Sequence, residues 1–273
     1  MINYNLQKKG NFLSGLSLST KIIIFNSIVY FVLLILYSVY SQDKVLNFLA
    51  ITPSSFLSGS HPWTILTSVF VHASFFHIFA NMFSLFFLGR FLEQIIGKKR
   101  FFWVYLVAGI VGSLFFVASG ILFNNLNTPA VGASGAIFGL LGVLAVLVPM
   151  SRIYLIVGPL ILIVVEVVLG SILPSGFVPI VSLVANLLMI VMIISLFSFS
   201  RSMKKIALPV ELPMWCLPII AIVPLTILSF IVPLPIGNSA HFGGLVIGLI
   251  YGLYLRKKFP NKTKRISNYF SGK

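Results

Sequence analysis

The chain has 273 residues, of which 59% are hydrophobic and only 8% are charged, and its mean hydropathy is +1.09. A soluble core of this size cannot bury so much apolar surface, so the composition excludes an ordinary soluble protein and predicts a polytopic membrane protein. The formal net charge is +15. In a soluble protein such a charge would indicate nucleic-acid binding, but in a membrane protein it reflects the topology, so we expect no nucleic-acid partner.

Eight apolar runs are long enough to cross the ~30 Å of membrane hydrocarbon as helices, which takes about 20 residues each. They lie at approximately 21–40, 75–93, 101–124, 133–150, 153–173, 178–199, 213–233 and 239–255. The sequence therefore predicts an all-α polytopic membrane helix bundle with about eight transmembrane helices, called spans 1 to 8 here. Span 1 is long and no small-residue cleavage site follows it, which favours a retained span over a signal peptide.

The lysine and arginine residues cluster at alternate connections between the spans. They precede span 1 and follow spans 2, 4, 6 and 8, and Lys44 alone among the 19 falls on the other side. The positive-inside rule then predicts a multi-pass protein of the cell membrane with both termini in the cytoplasm. The basic tails, about residues 1–20 and 256–273, are expected to touch anionic lipid headgroups of the bilayer.

The organisation along the chain is simple. We expect one membrane domain over residues 1–273, because no internal repeat or long linker interrupts it. Residues 41–74 are the longest predicted non-helical segment; they are too apolar for a solvated loop, which favours a position in the membrane interface. Prolines inside span 7 predict a bent helix: Pro213, Pro218, Pro224 and Pro233. The single cysteine, Cys216, excludes an intrachain disulfide.

Four polar residues fall at the same predicted depth on three different spans. His77 and Asn81 share one face of span 2, Ser134 begins span 4, and His241 lies in the first turn of span 8. All three spans descend from the outer face, so the four side chains are predicted near that face. Polar groups at membrane depth are costly and are therefore functional candidates.

These residue types fit one kind of chemistry. A serine hydroxyl becomes a nucleophile when a neutral imidazole accepts its proton, and His241 is the candidate base for Ser134. The backbone N–H of Ser134, with His77 and Asn81, would stabilise the developing oxyanion. An acid to orient His241 is missing, although Glu166 falls within span 5, and the simplest interpretation is a Ser-His dyad. The competing interpretation is packing, because any one of these residues alone is more often an interhelical contact.

Spans 4 and 8 carry small residues at positions that share a helix face. They are Gly135, Gly139 and Gly142 on span 4 and Gly244, Gly248 and Gly252 on span 8. Such stripes allow two helix backbones to approach closely. Phe138 lies one turn after Ser134, so its ring is predicted to pack against the imidazole of His241.

Three motifs resemble those of the rhomboid intramembrane serine proteases. "GASGAIFG" is similar to the family's GxSG motif around Ser134, His77 and Asn81 form HxxxN, and "AHFGGLVIG" is similar to AHxxGxxxG around His241. The stretch "HPWTILTSVFVHASFFHIFANM" also resembles the family's first outer loop and second helix.

The resemblance implies a serine endopeptidase that cleaves transmembrane protein substrates near the outer membrane face, without a cofactor or metal. Ser134 would be the nucleophile and His241 the base, with His77 and Asn81 in the oxyanion site. Gly132, Phe138 and Gly244 would support them, and His72 would be a structural histidine.

The spacing departs from the six-helix members of the family. Ser134 and His241 are 107 positions apart, which leaves room for three spans where such a rhomboid has one. We therefore expect a six-helix core plus two additional helices, in which Glu166 and Asn186 make buried polar contacts. Two other functions stay open: a non-proteolytic rhomboid-like factor that binds membrane proteins, and a transporter with Glu166 at a midplane site, although no inverted repeat is visible.

Overall fold

The computed structural model describes residues 15–197, 205–229 and 237–271. The helices and strands in chain order are α1 (Leu18–Val39), α2 (Gln42–Leu49), α3 (Pro53–Leu57), α4 (Thr64–Thr67), α5 (Phe75–Ile96), α6 (Lys98–Leu122), α7 (Ser134–Leu147), β1 (Arg152–Ile156), α8 (Val157–Ile172), α9 (Val178–Phe197), β2 (Pro209–Pro213), α10 (Cys216–Ser229), α11 (Asn238–Lys258) and α12 (Pro260–Ser271).

Each predicted span corresponds to one helix, namely α1 and α5 to α11, and the polytopic helical membrane bundle is confirmed. Within the described ranges, four helices are long and apolar enough to cross a membrane: Leu18–Val39, Phe75–Ile96, Lys98–Leu122 and Ser175–Ser195. α7 and α8 are shorter apolar helices.

The chain divides into two compact units. One consists of Met1–Leu144 with Ser239–Lys257, and the other of Ala145–Asn238 with Lys258–Lys273. The prediction of a single domain stays a prediction. Every candidate site residue predicted from the sequence belongs to the first unit, so the site is described within that unit alone.

α5 carries two of the candidate residues, and local chemistry sets its ends. It begins where the Ser74 hydroxyl accepts a hydrogen bond from the backbone N–H of His77 at 3.2 Å. It ends at Gly97, whose φ of 82° lies in the left-handed region that glycine tolerates. Between these ends, Leu85–Gly89 form a π-helical turn, an irregularity that is rare and often marks functional helices.

The far end of α5 is attached to the start of α1 through Glu93, which is buried. Its carboxylate accepts the backbone N–H groups of Leu18 and Ser19, both at 2.8 Å, and the Ser19 hydroxyl at 2.9 Å. A carboxylate at a helix N-terminus satisfies donors that have no intrahelical partner and interacts favourably with the helix dipole. Glu93 therefore fixes α1 against α5.

The prediction that residues 41–74 are non-helical is wrong. The segment forms α2, α3, α4 and a short 3₁₀ turn, Ser68–Phe70. Pro53 begins α3 because its missing N–H is no loss at the first helical position. Side-chain bonds hold the segment to itself, since Trp63 Nε1 donates to the Phe48 carbonyl and Thr67 Oγ1 to the Leu49 carbonyl, both at 2.8 Å. Short helices satisfy the backbone groups of a segment too apolar for water.

The second unit contains a two-stranded antiparallel sheet that was not predicted from the sequence. β1 pairs with β2 from Arg152 opposite Pro213 to Ile156 opposite Pro209. β1 is rich in β-branched and aromatic residues, and the prolines of β2 occupy the ends of an edge strand, where a missing donor is tolerated. Span 5 consequently begins at residue 157 instead of 153, and span 7 at residue 216 instead of 213.

Two of the four prolines predicted inside span 7 lie in α10. Pro224 lies inside α10 and Pro218 in its first turn, whereas Pro213 ends β2. Pro233 lies outside the described residues. The basic C-terminal tail contains a helix, α12, which begins at Pro260 and exposes Lys262, Lys264 and Arg265.

Candidate active site

Ser134 is the first residue of α7, and the chain reaches it through a constrained loop. Gly132 has a φ of 125°, a conformation that side chains rarely adopt. Its backbone N–H donates to the carbonyl oxygen of Ser68 at 2.8 Å, and Ala133 is fully buried. The loop is thereby fixed on the 3₁₀ turn Ser68–Phe70, which determines where the Ser134 hydroxyl lies.

The hydroxyl lies against a histidine from the last long helix. Ser134 Oγ is 2.8 Å from His241 Nε2, a normal hydrogen-bond length. His241 Nδ1 is buried and has no hydrogen-bond partner among the described residues. In a neutral imidazole one nitrogen accepts and the other carries the proton. If Nε2 accepts the serine proton, Nδ1 is the protonated nitrogen, and no carboxylate of the described residues contacts it.

The imidazole of His241 is held by an aromatic ring on α7. The rings of Phe138 and His241 are stacked, with centroids 4.5 Å apart and an interplanar angle of 19°. Phe138 and Ser134 are one turn apart, so α7 supplies both a partner for Nε2 and a surface for the ring. The stacking restricts the rotation that would move Nε2 away from the hydroxyl.

Glycines let α7 and α11 touch along their backbones. A Cβ atom added to Gly244 would overlap the carbonyl oxygen of Gly135, and one added to Gly248 would overlap that of Gly139. The carbonyl oxygen of Ala240, the residue before His241, would lie 2.9 Å from a Cβ added to Gly112 of α6. These contacts set the spacing that brings Ser134 to His241.

His77 borders the same small space as the serine hydroxyl. A Cβ added to Gly132 would lie 2.7 Å from His77 Nε2 and 3.8 Å from Ser134 Oγ. The backbone N–H of Ala73 points to His77 Nδ1 at 3.5 Å, a long contact that favours the tautomer with its proton on Nε2. A donor on His77 and the nucleophile therefore both lie near the position that a side chain at residue 132 would occupy; we call this position, which glycine leaves free, the cavity over Gly132.

Asn81 supports this arrangement from the next turn of α5. It is buried, and its side-chain amide donates to the carbonyl oxygen of His77 at 2.8 Å. Among the described residues the structure records no hydrogen bond between Asn81 and Ser134. The structure thus brings together Ser134, His241 and His77 directly, and Asn81 through the backbone of His77.

His72 lies behind His77 and is fully buried. The two rings are 5.1 Å apart at an angle of 65°. Burial, reinforced by the neighbouring His77, lowers the pKa of His72 to about 3. His72 is consequently neutral at physiological pH and packs as an uncharged ring against the back of the site.

Two contributions to the site were not predicted from the sequence. The carbonyl of Ser68 fixes Gly132, and the backbone N–H of Ala73 orients the His77 ring. Both act through backbone atoms, which no side-chain pattern reveals.

Part of the chain is similar to known proteins. Residues 59–192 match the family model of the Rhomboid domain. The chain belongs to the rhomboid family. The matched residues include His77, Asn81 and Ser134 and end before His241, so the pairing of His241 with Ser134 rests on the geometry of this rhomboid chain.

Similar proteins include both proteases and a protein named as inactive. The chain is 41% identical over 81 residues to the putative rhomboid protease YdcA of Bacillus subtilis, covering 30% of this chain and 39% of that protein. It is 36% identical over 91 residues to the rhomboid protease GluP of the same organism, covering 33% and 17%. It is 42% identical over 80 residues to inactive RHOMBOID-like protein 8 of Arabidopsis thaliana, covering 29% and 21%. Each match spans well under half of the relative.

Proposed function

We propose that this rhomboid-family chain is an intramembrane serine endopeptidase that uses Ser134 and His241 as a dyad. The observation that carries the proposal is the 2.8 Å contact between Ser134 Oγ and His241 Nε2, made by residues 107 positions apart in the sequence. A packing serine needs no imidazole at hydrogen-bond distance, whereas a nucleophilic serine does.

The chemistry follows from the positions of these groups. Ser134 Oγ attacks the carbonyl carbon of the scissile peptide while its proton passes to His241 Nε2. The carbonyl oxygen becomes an oxyanion in the cavity over Gly132, where His77 Nε2–H and the backbone N–H of Ser134 at the start of α7 donate to it.

Collapse of this intermediate breaks the peptide bond. The departing amine takes the proton from His241, and the acyl group stays on Ser134. A water molecule then loses a proton to His241 and attacks the acyl carbon. As the acyl–oxygen bond breaks, the Ser134 oxygen takes that proton from His241, so the hydroxyl is restored and the carboxylic acid product is released. Phe138 keeps the imidazole in place through both steps, a task for which a carboxylate serves in a triad.

The substrates proposed are membrane proteins with a transmembrane helix. The site is formed by the start of α7 and the first turn of α11, so we expect it near one membrane face, which the distribution of cations predicts to be the outer face. A peptide must leave the helical conformation to expose its carbonyl, and helix-breaking residues near the cut should therefore favour cleavage. Both termini of the protease would then lie in the cytoplasm, with the chain in the cell membrane.

A non-proteolytic factor that binds membrane proteins is the second candidate. The relative named as inactive favours it. The contact between Ser134 and His241 argues against it, because loss of activity removes any need for this geometry. The two candidates differ in whether the serine is reactive.

The deciding experiment is covalent labelling by a fluorophosphonate in detergent. We expect the protein to be labelled at Ser134, because phosphonylation requires an activated hydroxyl and its product mimics the tetrahedral intermediate. Ser134→Ala and His241→Ala should each abolish labelling and the cleavage of single-span test substrates in proteoliposomes.

Ser84→Ala is the matched control, because it removes a hydroxyl from α5 that has no place in the dyad, and it should leave labelling unchanged. Labelling that survives Ser134→Ala would refute the dyad. Unreactive wild-type protein that still binds single-span proteins would favour the non-proteolytic factor.

A further inference from the structure

The start of α11 packs on α6 as well as on α7. A Cβ atom added to Gly112 of α6 would lie 2.9 Å from the carbonyl oxygen of Ala240, the residue before His241. One turn further along α6, the Phe115 ring lies 2.6 Å from the position that a Cβ at Gly243 would occupy. Residues before and after His241 in the chain therefore contact one face of α6.

A pair of serine hydroxyls extends this contact. Ser119 Oγ of α6 is 2.8 Å from Ser239 Oγ of α11, across 120 positions of the sequence. Ser119 lies two helical turns after Gly112 and so shares its face of α6. Ser119 Oγ is also 2.8 Å from the carbonyl oxygen of Phe116. A carbonyl oxygen only accepts, so Ser119 donates its one proton to Phe116 and accepts the proton of Ser239.

This hydrogen bond acts on the first turn of α11, which also carries His241. Asn238 is the first residue of α11, and Ser239 is the next. Helix ends fray, because their first N–H groups have no partner within the helix. Apolar contacts have little directional preference, whereas a hydrogen bond has a narrow range of length and angle. The serine pair therefore opposes rotations of the turn that the apolar contacts with α6 tolerate.

The imidazole of His241 depends on where this turn lies. Ser134 and Phe138 of α7 contact the ring, but its Nδ1 has no hydrogen-bond partner among the described residues. A small rotation of the first turn would carry Nε2 away from Ser134 Oγ. Misplacement of a reacting group by about 1 Å can lower a rate by about 100-fold.

We propose that Ser119 and Ser239 are positioning residues, whose hydrogen bond fixes the first turn of α11 so that His241 Nε2 stays within hydrogen-bond distance of Ser134 Oγ. Both serines act on the dyad through the backbone of α11. Their effect on catalysis rests on the proposed peptidase function, whereas their effect on the position of the imidazole does not.

The kinetic test removes one hydroxyl at a time from the full-length chain in proteoliposomes. Ser119→Ala and Ser239→Ala should each lower kcat and the rate of fluorophosphonate labelling by about three- to tenfold, the scale of one hydrogen bond. KM should stay unchanged, because the lost contact affects the reacting geometry and not substrate binding. The double variant should be no slower than either single variant, since the two hydroxyls act as one pair.

Two controls separate positioning from folding. Ser239→Thr keeps a hydroxyl at the same position and should restore most of the wild-type rate. Ser38→Ala should leave the rate unchanged, because it removes a hydroxyl of α1 that donates to the carbonyl oxygen of Ile35 at 2.7 Å, a bond within one helix. Rates are compared per folded molecule, well below the thermal midpoint of each variant.

A spectroscopic measurement locates the imidazole without any reaction. ¹⁵N resonances of the histidine rings are recorded in detergent, and those of His241 are assigned by their loss in His241→Gln. The Nε2 resonance should shift in Ser134→Ala, which removes its partner, and Ser239→Ala should shift it in the same direction. The resonances of His61 should not change, because that ring packs against Trp63.

Wild-type labelling rates and an unmoved Nε2 resonance in Ser239→Ala would overturn the proposal. A loss that Ser239→Thr does not restore, or losses that add in the double variant, would assign the serines to folding alone and would also overturn it. Wild-type protein that is not labelled at Ser134 would refute the peptidase, and the Nε2 resonance alone would then decide whether the serine pair positions His241.

Discussion

Gly132 determines at the residue scale whether the proposed oxyanion cavity exists. Its φ of 125° lets the loop turn into α7, and its missing side chain leaves the space between His77 Nε2 and Ser134 Oγ open. Residue 132 requires glycine for two reasons, its positive φ and the short distance to His77. A second glycine allows the two reasons to be tested separately. Gly59 also has a positive φ, of 76°, but no atom lies within 4 Å of an added Cβ.

We predict that Gly132→Ala and Gly59→Ala differ in activity although both carry backbone strain. A methyl at residue 132 would crowd His77, so labelling of Ser134 and substrate cleavage should fall by roughly 100- to 1000-fold, the usual loss for a disrupted oxyanion site. Gly59→Ala should lower the thermal midpoint without a comparable loss of activity. Rates per folded molecule are compared, and similar rates for the two variants would contradict the proposed cavity.

His72 makes the free energy of unfolding depend on pH. Its folded pKa of about 3 lies below the ordinary value of 6.5, because burial disfavours the charged ring. Between these two values the unfolded chain binds a proton that the folded chain does not, so acid favours unfolding. The stabilisation is fully present above pH 6.5 and is lost as the pH falls toward 3, by about 1.4 kcal/mol per pH unit.

We predict that replacing this ring by a non-titrating one flattens the pH dependence of stability. His72→Phe keeps an aromatic ring of similar size, and its free energy of unfolding should fall by about 2 kcal/mol less than that of the wild type between about pH 7 and about pH 5. Thermal midpoints in detergent at both pH values provide the comparison. Equal losses in the two proteins would show that His72 is accessible to protons in the folded state.

At the scale of the helices, the contact between α7 and α11 holds the dyad together. Gly244 is buried in this contact, whereas Gly170 of α8 has no atom within 4 Å of an added Cβ. Alanine is normally better than glycine inside a helix by roughly 0.5–1 kcal/mol. Alanine at Gly170 therefore reports the effect of helix propensity alone, whereas alanine at Gly244 also disturbs the contact between α7 and α11.

We predict opposite effects of alanine at these two glycines. Gly244→Ala should force α11 away from the Gly135 carbonyl, lengthen the contact between Ser134 and His241, and lower the thermal midpoint. Fluorophosphonate labelling should fall by about tenfold or more, on the order expected when a reactive geometry is displaced by about 1 Å. Gly170→Ala should leave labelling unchanged and keep or raise the midpoint. Full labelling of a folded Gly244→Ala protein would mean that the backbone contact does not position the dyad.

The helices of the bundle were predictable because hydrocarbon thickness demands long apolar runs, and glycine spacing indicated which two helices touch. The sheet was not predictable, since β1 has only five residues and its partner strand lies beyond two intervening helices. The short helices between residues 41 and 74 were missed because each is too short to show a helical period, and because Pro53 begins a helix instead of breaking one.

The candidate site was also predictable from the sequence only in part. Its side chains could be chosen from the sequence, because serine, histidine and asparagine are costly at membrane depth and are seldom placed there without a function. Glu93 was visible in the sequence, but its role at the start of α1 depends on a contact 75 positions away. The Ser68 carbonyl at Gly132 was not predictable, because a backbone acceptor leaves no signature in residue types.

For the whole molecule, topology determines which end of a substrate is cut. With cations at alternate connections, we expect the starts of α7 and α11 at the outer face, and the dyad with them.

We predict that single-span substrates are cleaved near the outer end of their helix, and that Glu166→Gln changes the rate by no more than a few-fold. A loss of about a thousandfold or more would instead make Glu166 a third catalytic member. Mass spectrometry of the products from proteoliposomes locates the cut, with Ser134→Ala as the control for other proteases. Cuts confined to the cytoplasmic end would mean that the orientation is inverted.

α5 contributes to two contacts: His77, near its start, lies beside Gly132, and Glu93, near its end, binds the start of α1. The π-helical turn Leu85–Gly89 lies between these two residues. A π-helical turn accommodates one residue more than a regular helix, and one residue corresponds to about 100° of rotation in an α-helix of 3.6 residues per turn. The extra residue therefore sets the angular phase between the two ends. A regular α5 one residue shorter would have to rotate His77 out of the cavity over Gly132 or turn Glu93 away from the start of α1. The irregular turn is what allows a single rigid helix to be in register with both.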